Sequence, residues 1–221
     1  MKEKQWKGYY SSYLKKASER GVNSLDILNA EWFDGEKTAT ECILPLITKD
    51  SIVLEIACGI GRVSKYVAPQ CKYLFCADII EEALEESKNN LNQFTNISFE
   101  KINGYDLAVF NENYFDFVYS FTAFFHFDFE LVVKYFGEIK RVLKPGGLAV
   151  IEFKRWKDKN DVTELIEKID EQGGIENYEK ELDKWRYVSK EMLKVLCDFY
   201  NLIIVDDNTT KFTFQKKLLD Q

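Results

Sequence analysis

The chain has 221 residues, 46% of them hydrophobic, which is typical of one globular domain with a sizeable core. Its net charge of −7 argues against a nucleic-acid partner, because contacts to phosphates are made by clustered Lys and Arg side chains. Residues 1–7 are charged and contain no long apolar run, so we expect no signal peptide, no membrane-spanning helix and a cytoplasmic location.

The cysteine and histidine content limits the kinds of metal or catalytic site that the chain can form. Five cysteines, an odd number without a Cys-x-x-Cys pair, indicate reduced and buried thiols. Because His126 is the only histidine, a zinc site or a Ser-His-Asp triad is poorly supported, and no metal is predicted.

The first 47 residues are predicted to form helices rich in aromatic side chains. Such rings can close over a cationic ligand as a lid, because the faces of aromatic rings attract cations. An amphipathic helix that packs on a sheet explains the same pattern equally well. The lid residues are Tyr9, Tyr10, Tyr13, Trp32 and Phe33, and among them Tyr9, Tyr13 and Trp32 are candidate substrate contacts.

A glycine-containing loop follows the first predicted strand, residues 51–57. Gly59 and Gly61 allow a sharp turn and the close approach of a ligand, and the N–H groups of the following helix can face polar ligand atoms. Glu55 adds a carboxylate, which repels a pyrophosphate and attracts a cation. Ser64 stands where a dinucleotide-binding loop has its third glycine. We therefore expect a cationic nucleoside rather than NAD, although Gly-x-Gly after a strand is also typical of a plain tight turn.

The second predicted strand, residues 73–78, ends in Asp78. Its two carboxylate oxygens match the two hydroxyl groups of a ribose, which makes Asp78 a candidate nucleoside contact. An aspartate after a strand is also a common helix N-cap, and a helix is predicted over 81–91.

The remaining elements continue the alternation of strands and helices that is typical of a parallel sheet covered on both faces. Four residues separate the last two strands, too few for a crossover helix, so an antiparallel hairpin is predicted. Residues 145–147 are predicted to form a turn after the longest helix, and residues 155–188 a charged helical insertion broken at Gly173 and Gly174. The further strands are 97–101, 115–121, 148–154, 202–206 and 211–215, and the further helices are 61–67, 130–143 and 189–199.

Several segments together resemble the class I S-adenosylmethionine-dependent methyltransferases. The first motif of that family is an acid followed by glycines at alternate positions; Glu55, Gly59 and Gly61 match it, and Ala57 departs from it by one methyl group. Residues 103–107, 115–121 and 138–147 are similar to later motifs of the family. The resemblance covers residues 51–154 in the order and spacing of the family.

The resemblance implies an α/β fold with a Rossmann-like, seven-stranded, mostly parallel sheet. It further implies an antiparallel last strand and helices on both faces. With the helical N-terminal lid, we expect a single domain over residues 1–221. S-adenosylmethionine is the implied cofactor and S-adenosylhomocysteine the product. The implied cofactor-binding residues are Glu55, Ala57, Cys58, Gly59, Gly61, Arg62, Asp78, Ile79, Asn103, Gly104, Tyr105 and Ser120.

Asn103 stands where the family usually has an aspartate that reads the adenine edge. Its carbonyl can accept a hydrogen bond from the adenine amino group, although Asn-Gly is equally the commonest turn dipeptide.

The methyl donor and acceptor should meet at the carboxyl end of the fourth strand, where such sheets bind ligands. His126 follows that strand, and an imidazole can remove a proton from a hydroxyl or ammonium group as the methyl group arrives. A histidine packed among phenylalanines is the alternative. Phe121 and Arg186 are further candidate substrate contacts; Arg186 can bind an anionic group or lie on the surface.

The predicted function is methyl transfer to a small-molecule acceptor, namely a hydroxyl oxygen of a sugar, phosphoester or metabolite. An N-methyltransferase acting on a small amine and a non-catalytic S-adenosylmethionine-binding regulatory subunit are the alternatives. A nicotinamide oxidoreductase is disfavoured by Glu55, Ser64 and the final hairpin. Neither a nucleic acid nor a membrane is expected as a partner.

Overall fold

The computed structural model describes residues 3–31, 34–156, 159–178, 185–207 and 210–218. The strands in chain order are β1 (Ile52–Ile56), β2 (Tyr73–Asp78), β3 (Ile97–Lys101), β4 (Phe115–Ser120), β5 (Leu143–Glu152), β6 (Lys154–Arg155), β7 (Tyr187–Val188), β8 (Leu202–Asp207) and β9 (Lys211–Lys216). The α-helices are α1 (Glu3–Arg20), α2 (Ser24–Glu31), α3 (Gly35–Cys42), α4 (Ser64–Val67), α5 (Glu81–Asn90), α6 (Phe129–Val142), α7 (Lys159–Glu171), α8 (Ile175–Tyr178) and α9 (Lys190–Phe199).

A seven-stranded sheet forms the centre of the fold, in the order β3-β2-β1-β4-β5-β9-β8. Neighbouring strands are parallel from β3 to β5, whereas β9 is antiparallel to both β5 and β8. The predicted mixed sheet with a final antiparallel hairpin is therefore confirmed. The short connection between β8 and β9 leaves the chain no room for a crossover, which is the reason for the antiparallel direction.

Apolar clusters lie on both faces of this sheet, as the continuous apolar runs of the strands predict. On one face, Phe136 and Ile139 of α6 pack with Leu193 of α9. On the other face, Ile43 and Val67 pack against side chains of the same strands. All five cysteine thiols are buried, in agreement with the sequence.

The junction between α6 and β5 differs from the prediction. The sequence predicted a separate turn at 145–147, but β5 already begins at Leu143, which pairs with Phe115. The next pair is Phe117 with Leu148, so residues 144–147 bulge out of the ladder opposite Asp116. Gly146, with φ of +80°, supplies the left-handed conformation that this bulge requires.

The N-terminal helices are held against α5 and the loop after β1 by an apolar stripe of α1. Tyr13 and Ala17 are buried in a third cluster with Leu28, Ile60 and Ala83. Helix α1 packs against α2 and α5. This anchoring fixes the first two turns of α1 over the carboxyl ends of β1 and β2.

The segment between β5 and α9 contains helices α7 and α8, on either side of Gly173 and Gly174. It also contains the two-residue strands β6 and β7, which pair in parallel and were not predicted. Two-residue strands carry too short a pattern to be recognised from sequence.

Candidate active site

The loop after β1 is shaped by three residues with positive φ. Ala57, Gly59 and Gly61 have φ of +60°, +56° and +88°, in the left-handed region. An L-residue such as Ala57 adopts this conformation at a cost of roughly 1–2 kcal/mol, whereas glycine does so freely. These left-handed residues interrupt the regular backbone after β1. Helix α4 therefore begins at Ser64, three residues later than the start predicted at residue 61.

The two glycines of the loop have different neighbours. A Cβ atom on Gly59 would lie 2.7 Å from the hydroxyl oxygen of Tyr10, so the lid helix α1 rests directly on the loop. A Cβ atom on Gly61 would lie 2.7 Å from both Leu91 Cδ1 and Ser87 Oγ. Gly59 therefore faces the lid, and Gly61 allows the loop to pack against α5.

Asp78 is buried at the end of β2. Its carboxylate accepts hydrogen bonds from the backbone N–H of Gly59, at 2.8 Å, and of Ile80, at 3.0 Å. Burial raises the pKa of Asp78, and these two backbone donors oppose the rise. The acid thus fixes the glycine loop and the start of α5 relative to each other.

Two adjoining cavities lie between this loop, the lid and the carboxyl ends of β1, β2 and β4. The larger has a volume of about 280 Å³, close to the lower end of the range for small-molecule sites. The smaller has a volume of about 70 Å³. The residues that line both cavities, and so mark their junction, are Trp6, Tyr10, Ala57, Thr122 and His126.

His126 lies at this junction in a short 3₁₀ turn, Phe124–His126, after β4. It is buried, and its ring centroid lies 5.3 Å from the Trp6 ring and 4.5 Å from the Phe125 ring. The position next to the end of β4 is the one that the sequence predicted for it.

Residues 54–151 match the family described as "Methyltransferase domain". In combination with the seven-stranded sheet and its glycine loop, this match decides the family. Residues 54–151 form a class I S-adenosylmethionine-dependent methyltransferase domain. Its cofactor is S-adenosylmethionine, and the glycine loop and Asp78 line the two adjoining cavities.

Solved structures support the fold. The magnesium protoporphyrin IX methyltransferase ChlM of Synechocystis PCC 6803, with bound S-adenosylhomocysteine, has a TM-score of 0.62 at 11% identity, covering 88% of this chain and 84% of that one. The N-methyltransferase NodS of Bradyrhizobium japonicum has a TM-score of 0.58 at 17% identity, covering 83% and 97%.

A curated relative matches in sequence over a short stretch. An uncharacterized RNA methyltransferase of Halalkalibacterium halodurans is 36% identical over 55 residues, which is 24% of this chain and 12% of that protein. This methyltransferase thus matches only about an eighth of the length of that relative.

The predicted cofactor and substrate residues can be sorted by the cavity that they line, and Ala57 and His126 line both. Those lining the larger cavity are Ala57, Asp78, Ile79, Asn103, Gly104, Tyr105 and His126. Those lining the smaller cavity are Tyr9, Glu55, Ala57, Cys58, Gly59, Arg62, Phe121 and His126. Those lining neither are Tyr13, Gly61, Ser120 and Arg186, while Trp32 lies outside the described residues.

The residues that line neither cavity have structural contacts. The Ser120 hydroxyl donates to the backbone carbonyl of Ile56, at 2.8 Å, and ties β4 to β1. Tyr13 is buried and accepts a hydrogen bond from the Tyr9 hydroxyl at 3.2 Å. The side chain of Arg186 is held 3.0 Å from the carboxylate of Asp128.

Asn103 lines the larger cavity, but its side chain forms a turn. The side-chain carbonyl accepts from the backbone N–H of Tyr105 and Asp106, at 2.8 and 3.0 Å. Its amide group donates to the Asp106 carboxylate at 3.0 Å. The turn interpretation of the Asn-Gly pair therefore describes this side chain, and recognition of an adenine edge by Asn103 stays a prediction.

Glu55 is more deeply enclosed than the sequence indicated. It is 4% exposed, and its carboxylate accepts hydrogen bonds from the hydroxyl groups of Ser64 and Tyr119. Burial raises the pKa of Glu55 to about 7, and these hydrogen bonds and the nearby Arg62 guanidinium oppose the rise. The carboxylate that was expected to attract a cation therefore titrates near neutral pH.

Thr122 is a site residue that sequence reasoning missed. It has φ of +58°, which is rare for a β-branched residue, and such conformations cluster at functional sites. Its backbone N–H donates to the Glu152 carboxylate at 2.8 Å, and burial raises the pKa of Glu152. No sequence pattern marks a threonine for a left-handed conformation.

Trp6 and Asp128 also line the larger cavity and were not predicted as site residues. One face of α1 carries Trp6, Tyr10, Tyr13 and Ala17, at steps of four, three and four residues. This helical spacing is the sequence signal for the face of α1 that lies over the cavities.

Proposed function

We propose that this methyltransferase transfers the methyl group of S-adenosylmethionine to a small-molecule acceptor held in the larger cavity. The observation that carries the proposal is the pair of adjoining cavities, which share their junction beneath the lid. A regulatory subunit needs no acceptor space beyond β4, whereas the larger cavity extends along Ala123, Phe127 and Leu131 after that strand.

The residues that line the two cavities support a cofactor that extends through both, with its nucleoside in one and its amino-acid part in the other. Asp78, Ile79 and Gly104 line the larger cavity, where a carboxylate beside an apolar wall suits a ribose and a flat base. Gly59 and Arg62 line the smaller one, where a guanidinium suits the carboxylate of the amino-acid part. The sulfonium then falls at the junction, beside Trp6 and His126.

Methyl transfer from a sulfonium needs mainly proximity and alignment, because the cofactor supplies a methyl group on a good leaving group. The enclosing residues Trp6, Tyr10 and Thr122 serve this purpose by restricting the junction and excluding water. A cavity closed by a helix suits a small acceptor, and the net charge of −7 opposes a nucleic acid. In the described part of the chain, no helix is long and apolar enough to cross a membrane.

Titration of the protein with S-adenosylhomocysteine tests the proposal. We expect a calorimetric heat and a quenching of tryptophan fluorescence, because Trp6 lies over the junction where the ligand would sit. NAD at the same concentration is the control ligand and is expected to give neither signal. Absence of heat and of thermal stabilisation with millimolar S-adenosylhomocysteine would contradict the proposal.

His126 is proposed as the general base. Replacing His126 by alanine is expected to lower kcat about 100-fold with the best acceptor, since a positioned base contributes at least that factor. Affinity for S-adenosylhomocysteine should stay within about threefold of the parent protein, which checks that the site is intact. Full turnover of the His126→Ala variant from pH 6 to 9 would remove the role.

A further inference from the structure

The larger cavity has an acidic lining. Its wall carries Asp128 from the start of α6, after β4, and Glu3 from α1. Among the described residues of this wall there is neither Lys nor Arg. An anionic acceptor such as a phosphoester would meet carboxylates there and lack a cationic partner.

The basic groups near these acids lie outside the lining. Lys101 Nζ is 3.2 Å from the Glu3 carboxylate, in an exposed ion pair of small energetic value. Arg186 Nε is 3.0 Å from the Asp128 carboxylate, so this arginine partly neutralises the acid from the outer side. Among the residues that the structure describes, the charged groups that line the cavity are therefore carboxylates.

Aromatic rings complete the same wall. Trp6, Phe127 and Tyr135 line the larger cavity, and Tyr135 is buried. Faces of aromatic rings attract a cation, and the attraction grows when water is excluded. Carboxylates and aromatic rings together form the environment in which an organic ammonium group binds best.

We propose that the methyl acceptor is a small amine that enters the larger cavity as a cation, bound by Asp128 and the surrounding rings. This inference rests on the proposed function and specifies its acceptor. It replaces the hydroxyl oxygen that the sequence favoured with the nitrogen that was its alternative. Arg186, which was a candidate for binding an anionic substrate, is instead assigned a role in tuning the charge of Asp128.

The reaction balances with the groups present. The ammonium first gives a proton to the His126 imidazole or to water, which leaves a nucleophilic amine. The nitrogen lone pair then forms the bond to the methyl carbon while the carbon–sulfur bond breaks and its electron pair stays on sulfur. The products are a methylated ammonium ion and the neutral thioether S-adenosylhomocysteine.

Three probes of one carbon skeleton test the acceptor class: 2-phenylethylamine, 2-phenylethanol and 2-phenylethyl phosphate. With S-adenosylhomocysteine bound to the full chain, we expect the amine alone to raise the melting temperature and quench tryptophan fluorescence. With S-adenosylmethionine, we expect methylation of the amine only. Stronger binding or faster methylation of the alcohol or phosphate, or no binding of the amine, would overturn the inference. Failure of S-adenosylhomocysteine to bind at all would instead overturn the proposed function.

Two substitutions that remove opposite charges distinguish an effect on amine binding from an effect on folding. Asp128→Asn should weaken binding of 2-phenylethylamine about tenfold, because it removes the carboxylate. Arg186→Gln breaks the same ion pair but frees that carboxylate, so it should strengthen amine binding or leave it unchanged. A role of the pair that is only structural would weaken binding in both variants. Glu130→Gln, an exposed position two residues along the chain that does not line the cavity, is the charge-matched control.

Discussion

Replacing Asp78 by alanine is expected to weaken the binding of S-adenosylhomocysteine by about 100-fold or more. A hydrogen bond to a charged group contributes about 1.5–3 kcal/mol, and the two carboxylate oxygens can each accept from one ribose hydroxyl. The substitution also removes the two bonds that hold the Gly59 and Ile80 backbone in place. Both losses act on the nucleoside side of the larger cavity, and calorimetric titration measures their sum.

Asp116 provides the matched control for Asp78. Its carboxylate also accepts a backbone N–H, that of Ile52 at 2.8 Å, and it pairs with Lys144 at 2.7 Å. It lies at the start of β4, at the opposite end of the sheet from the cavities. Asp116→Ala should therefore lower the melting temperature while leaving ligand affinity unchanged. A folded Asp78→Ala variant that binds within threefold of the parent protein would contradict the assignment of the ribose site.

The stability of the folded protein is expected to decrease as the pH rises from about 4.5 to 7. Burial raises the pKa of Glu55 from 4.5 to about 7, so the folded state holds a proton over this range that the unfolded state has lost. A shift of this size corresponds to a loss of about 3 kcal/mol in the free energy of unfolding by pH 7. The raised pKa values of Asp78 and Glu152 act in the same direction.

Carboxylates whose pKa is lowered act in a different pH range. The pKa of Glu138 is lowered by hydrogen bonds from Arg141, so its contribution is lost only as the pH falls below about 4.5. The slope between pH 5 and 7 thus reports the buried acids. Urea unfolding followed by tryptophan fluorescence at intervals of half a pH unit measures it.

A substitution at Glu55 isolates its contribution to this slope. Glu55→Gln keeps an acceptor for Ser64 and Tyr119 but cannot ionise, so the decrease in stability between pH 5 and 7 should become much smaller. Glu130→Gln removes an exposed carboxylate and should leave the slope unchanged. An equal slope in the parent protein and in Glu55→Gln would show that Glu55 does not titrate in this range.

The sequence alone predicted the sheet and the place of the cofactor loop well. Apolar runs of five or six residues, such as β1 and β2, specify buried strands by themselves. Gly59 and Gly61 mark a turn through their own conformational freedom, and Asp78 follows from the end of its strand. Each of these signals depends on neighbouring residues, so it predicts a strand or a turn without knowledge of the rest of the chain.

The tertiary structure decided which groups meet at the site and in which chemical state. The ionisation of Glu55 depends on its enclosure by Ser64 and by Tyr119, which lies 64 residues away in sequence. Likewise, α1 brings Trp6 against His126, and the segment after α8 brings Arg186 to Asp128. Local pattern determined the elements and the loop because each depends on neighbouring residues. Burial, charge pairing and the covering of the cavity arise only when distant elements pack together.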